Sequence, residues 1–343
     1  MQGESTISSI TTQSAHISRV WGLIPVFIAA AYPLFLQGFH SVISTSGKDE
    51  ISFTTTAIIL LGAAFIVPIF GLIFAMKGPD FANTRRLAYM VVTTPALYTL
   101  LGTLQGMAQS PIPDELIWYV LWFSFGILVI LNAKEIKNKP SDPEFTAYWK
   151  VIHGLSATLV SIFILFHMAN HFFSLKGADT YNAVMELGEK VYRNPFVEPI
   201  LVIFFFFQIL TGIQLMWRWS TRSVPFYQSF QVASGIYLAV FLLSHLNAVF
   251  IYARIYLNIP SDFAFASGAP TGIIHDSWNI RLFPYYTLGV FFALCHLMTG
   301  IRTVALVKYK SHRSAIDRVW TVMILVSGIA SGIIIAGMSG LRI

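Results

Sequence analysis

Nine stretches of about 20 predominantly apolar residues organise this chain, near 20–37, 52–76, 86–108, 115–133, 151–175, 197–217, 227–253, 283–307 and 318–339. As helices, each is long enough to cross a hydrocarbon layer of ~30 Å. The pattern predicts an all-α integral membrane protein of about nine transmembrane helices. Composition agrees: 55% of residues are hydrophobic and 11% charged, against roughly 25% charged in an ordinary globular domain, and the mean hydropathy is +0.67. The N-terminal segment is polar, lacks a basic start and has no clear small-residue cleavage site, so no removable signal peptide is expected.

Basic residues collect in cytoplasmic loops. The N-terminus and the even-numbered loops hold 14 Lys and Arg, while the odd-numbered loops and the C-terminus hold 7. This predicts a cytoplasmic N-terminus and an external C-terminus, in a bacterial inner membrane. It also accounts for the formal charge of +6 without invoking nucleic acid. The single cysteine, Cys295, excludes an internal disulfide, an iron–sulfur thiolate cluster and a C-x-x-C-H covalent haem site. No nucleotide loop, zinc motif or nucleophile elbow is present.

The apolar stretches repeat as hairpins. Sliding the stretch from Trp149 by 78 positions onto the one from Tyr227 superposes Ser156-Ala157 on Ser234-Gly235, Phe163 on Phe241, and His167 on His245. Second helices share a Gly before a basic end: IFGLIFAMK at Gly71, SFGILVILNAK at Gly126, LTGIQLMWR at Gly212 and MTGIRTVALVK at Gly300. Small residues of this kind let membrane helices approach closely. The charged segment 134 to 149, with Pro140 and Pro143 as breakers, divides the chain into an N-terminal four-helix region, 1–140, and a C-terminal five-helix bundle, 141–343. The N-terminal half has Tyr32 and Tyr98 where the other has its histidines, and Val67 and Trp122 at the second-helix position. It offers no metal ligands and reads as scaffold, lipid contact or docking surface.

Ionisable residues within membrane helices usually face a bundle interior and mark cofactors or proton paths. His167 precedes Lys176 by nine residues, as His245 precedes Arg254, so both lie ~14 Å below an outer cation. Two neutral imidazoles at one depth suit the axial ligation of a b-type haem; the alternative is a hydrogen-bonded histidine pair. His296 aligns with Gln208, each four residues before its Gly. Gln is not a usual haem ligand, which argues against a second haem at this inner level; His296 could contact a quinone or a haem edge, or pair with Gln208. His171, one turn beyond His167, could contact a propionate or quinone or act as a rival ligand. His153 reads as too near the cytoplasmic end to share a metal with His296. Lys176 and Arg254 are candidate propionate partners. Arg302 is expected to pair with a haem or phospholipid acid, or to snorkel to the interface.

At these residues the C-terminal part, roughly 147 to 340, resembles the membrane cytochrome b of the succinate dehydrogenase and fumarate reductase family. SGIYLAVFLLSHL is similar to that family's haem-ligand helix, HLMTGIR to its H-x-x-x-G-[IL]-x-R motif, and HMANHFFSLKGADTYNAV to the loop after its first ligand helix. The resemblance implies an outer haem between His167 and His245 and an inner one between Gln208 and His296. Gln208 and the four extra N-terminal helices depart from the pattern. The leading expectation is a haem b protein carrying electrons, with one haem and with a quinone, a membrane redox partner, or flavoprotein and iron–sulfur subunits as partners. The competing expectation is a haem-free scaffold or transporter whose histidines form a polar network.

Overall fold

The computed structural model describes residues 2–45, 55–79, 81–131 and 143–343. Lys48 and the charged segment up to residue 142 lie outside the described residues. Twelve α-helices and no strand are found among the described residues. In chain order these are α1 (Gln2–Thr45), α2 (Thr55–Lys77), α3 (Ala82–Val92), α4 (Thr94–Met107), α5 (Asp114–Leu131) and α6 (Pro143–Phe172). There follow α7 (Ala178–Tyr192), α8 (Val197–Trp219), α9 (Phe226–Leu246), α10 (Phe263–Ser267), α11 (Leu282–Lys308) and α12 (Arg313–Met338). Eight helices are unbroken, long and apolar enough to span a bilayer. The protein is an all-α integral membrane protein.

The stretch read as one span at 86–108 is instead two helices, α3 and α4, bent by 70°. Its cause is Pro95 in the first turn of α4: proline has no N–H to continue the ladder, and its ring collides with the preceding turn. Thr93 sits at the bend and its hydroxyl donates to the Met90 carbonyl at 2.7 Å. Counted as one span, the pair restores nine. Pro143, read as a breaker, opens α6, a position where its fixed φ suits a helix and no donor is lost.

Helix α9 is the centre of the bundle, packed against α8, α11 and, from the N-terminal half, α2, α3 and α4. One buried cluster unites Tyr237, Tyr285 and Phe292 with Tyr89, Val92 and Ala96. A second, around Tyr32, Tyr98, Trp118 and Trp122, fills the N-terminal half. The repeated second-helix glycines do not share one role. A methyl at Gly71 would meet the Ala88 carbonyl at 2.8 Å and the Val92 nitrogen at 2.9 Å, so α2 and α3 touch there, whereas Gly300 faces open space. At one end of the bundle, Arg281 joins Asp114 at 2.6 Å, both largely buried, and lies over the rings of Tyr98 and Trp278. This ion pair ties the two halves together.

Candidate functional site

Helices α6 and α9 bring His167 and His245 together edge to face, ring centres 5.9 Å apart and planes at 65°. Each is backed by the phenylalanine one turn earlier: Phe163 stacks on His167 at 5.4 Å and 15°, Phe241 on His245 at 5.7 Å and 9°. The 78-residue repeat is therefore a repeat of side-chain geometry. Metal–imidazole bonds of about 2 Å, with each ring centre about 1 Å behind its nitrogen, would let two imidazoles on one metal ion stand roughly 6 Å apart between centres. On distance alone, both imidazoles could reach one haem iron. Immediately past His245 the helix widens to π winding over Asn247–Leu257, a rare distortion that is frequent at functional sites.

Helix α6 lies at the edge of the bundle. It lies on α8 and makes little backbone contact with α9, and only 11% of its apolar window is buried, the least of the eight spans. One contact opposes the fit. His171 Nε2 stands 3.2 Å from His167 Nε2, and the Tyr181 hydroxyl of α7 lies 3.0 Å from His171 Nδ1. Burial pushes the Tyr181 phenol well above its usual range, aided by Tyr286, Tyr192 and Asp262, so it remains a neutral hydroxyl. With that phenol as donor, His171 carries its proton on Nε2 and gives it to His167 Nε2, so that nitrogen would be open to a metal only if this hydrogen bond were broken.

The inner level departs from expectation. His153 and His296 are close, ring centres 6.4 Å apart and planes at 85°, which corrects the reading that depth separates them. The reason is the early start of α6. From Pro143, His153 lies ten residues inside its helix, comparable to the twelve between His296 and Lys308 at the end of α11. Gln208 does not reach His296; its amide donates to the His153 carbonyl at 3.0 Å and to the Ser156 hydroxyl.

The two candidate arginines are engaged elsewhere. Arg254 pairs with Glu198 at 2.8 Å. Arg302 does not snorkel: it is buried, bound to Asp317 at 2.7 Å across the α11–α12 hairpin and seated 3.4 Å from the centre of the Tyr227 ring. Neither is a free propionate partner in this arrangement. Lys176 ends a short 3-10 turn in an exposed position.

The N-terminal half holds an aromatic counterpart of the outer pair. Tyr32 and Tyr98 stand 5.8 Å apart, edge to face, nearly the His167–His245 separation. Trp118 packs against both and is fully buried, so side chains fill that place. Among the described residues, no group of three or more His, Cys, Asp or Glu is placed to hold a metal ion. Sequence reasoning missed Tyr181, because α7 is a short helix of modest apolarity, and the Arg281–Asp114 pair, whose partners are 167 residues apart. Comparison with protein-family models, curated proteins and solved structures finds no match.

Proposed function

We propose that this chain is a membrane-bound b-type haem protein that carries electrons between a quinone and a partner protein, with His167 and His245 as the residues that would hold the haem. The observation that carries the reading is the approach of two imidazoles from α6 and α9, 5.9 Å between ring centres. When bound, haem supplies a reversible one-electron iron couple. The chain's residues do the rest. Phe163 and Phe241 fix the ring planes, Tyr181 and His171 supply a polar contact at the capped end, and α7 with the α10 loop covers the pair from water. A groove of about 340 Å³ between α6 and α8, lined by Leu155, Leu159, Ile203 and Phe207 with Ser156 among them, suits the apolar body of a quinone. In this reading the basic end of the bundle faces the cytoplasm and the α7 end lies outside, in a bacterial inner membrane. The resemblance to succinate dehydrogenase anchors makes flavoprotein and iron–sulfur subunits candidate partners.

The rival is a haem-free scaffold, favoured by the His171–His167 contact that occupies the ligand nitrogen. A dithionite-reduced minus oxidised spectrum of purified protein separates the two. A sharp low-spin b-type band that disappears in His167→Ala and in His245→Ala supports the haem reading. A flat wild-type trace, or a band that survives both substitutions, overturns it.

A further inference from the structure

The turn that leads from α8 into α9 gathers cations from α3 and α6 around its own Arg222. Arg85 Nη1 of α3 donates to the Ser220 carbonyl at 3.0 Å. Its neighbour Arg86 donates through Nε to the Ser220 hydroxyl and through Nη2 to the Trp217 carbonyl, both at 3.2 Å, with its guanidinium 3.6 Å from the centre of the Trp217 ring. Lys150 of α6 reaches the same turn, its Nζ 4.7 Å from the centre of the Trp219 ring, and Arg222 lies near enough to Lys150 for the two charges to repel.

Capping accounts for the α3 arginines, because cations suit the carbonyl end of a helix. It does not account for Lys150 and Arg222. Neither enters an ion pair among the described residues. Asp317, the carboxylate beside Tyr227 at the start of α9, is already held by Arg302 at 2.7 Å and approached by Arg313 at 3.7 Å. Two like charges kept together on an aromatic ring, with no carboxylate between them, call for an anion from outside the chain.

The tryptophans set the level of that anion. Trp side chains collect where a membrane meets water, at the depth of the lipid headgroups, and Trp217 and Val151, next to this turn and to Lys150, are exposed apolar surface of the kind that acyl chains cover. Basic pockets between membrane helices bind anionic headgroups. We propose that the α8–α9 turn binds an anionic phospholipid, its phosphate held between Lys150 and Arg222 with Arg86 as the third cation. Lys150 and Arg222 supply the N–H donors, while Arg86 stays on Trp217 and adds its charge. This site requires no haem.

The test is equilibrium binding of a fluorescent short-chain phosphatidylglycerol to purified full-length protein in a neutral detergent, with phosphatidylcholine and inorganic phosphate as competitors. The wild type should bind the anionic lipid and resist displacement by either. Lys150→Gln with Arg222→Gln should weaken binding about thirtyfold, two cations at ~1 kcal/mol each and tenfold per ~1.4 kcal/mol. Lys308→Gln with Lys310→Gln removes the same charge from the α11–α12 connection and should leave affinity unchanged. Lys150→Arg with Arg222→Lys keeps the charge and should bind as the wild type does, which separates lost charge from lost folding. Equal affinity for phosphatidylcholine overturns the site, and so does a loss of binding in the charge-keeping pair. Displacement by inorganic phosphate overturns the lipid and makes a soluble phosphate the ligand. Equal losses in the two glutamine pairs also overturn it, since the basic end would then attract anions as a whole.

Discussion

Replacing Gly289 with alanine tests the packing behind the outer histidine pair without touching a ligand. The added methyl would overlap the Phe241 ring, 2.5 and 2.9 Å from two of its atoms and nearer still to a third, so that ring has to retreat by about 1 Å to reach ordinary contact, and overpacking of this kind costs ~1–3 kcal/mol. Phe241 cannot retreat freely, because it stacks on His245 at 5.7 Å and packs against Tyr285 at 4.6 Å. The displacement passes to His245, and a ligand constellation tolerates only about 0.5 Å. Gly289→Ala should therefore lower the unfolding temperature and weaken the outer haem signal. Adding Phe241→Leu should recover stability, with a coupling of at least ~0.5 kcal/mol between the two sites. Thermal unfolding and the reduced-minus-oxidised spectrum of the three variants provide the readout. A Gly289→Ala protein with wild-type stability and spectrum would refute the reasoning.

Two further contacts, His171–His167 and Asp114–Arg281, address separate parts of the account. His171→Leu removes the hydrogen bond to His167 and should leave haem content unchanged; loss of the band would make His171, and not His167, the ligand. Asp114→Ala strands the buried Arg281 guanidinium and should destabilise the protein by ~3–5 kcal/mol in a denaturation series, while Asp114→Leu with Arg281→Met should recover much of that loss; equal stability of the single variant and the wild type would contradict the role given to this pair.

The spans and the outer pair were legible because both are local patterns: apolar length marks a helix, and a shift of 78 residues aligns Phe163-His167 with Phe241-His245. The inner pair was not legible because charges around Lys150 suggested a later start for α6, which placed His153 too near the surface. Helix α6 begins at Pro143 and runs 30 residues, longer than a perpendicular crossing of ~20 residues needs, so counting from charged ends misjudges depth. The bend at Thr93 follows from Pro95, which the reading of 86–108 as one span passed over because the apolar pattern continues on both sides. Arg302 finds Asp317 only because α11 and α12 pack side by side. Sequence separation alone does not distinguish that partner from a lipid headgroup.

The most direct measurement of the central claim is an iron anomalous difference map from crystals of the purified protein. The account predicts a peak about 2 Å from Nε2 of both His167 and His245, between α6 and α9. A map with no iron at that level, in protein whose imidazoles keep their 5.9 Å approach, would contradict it.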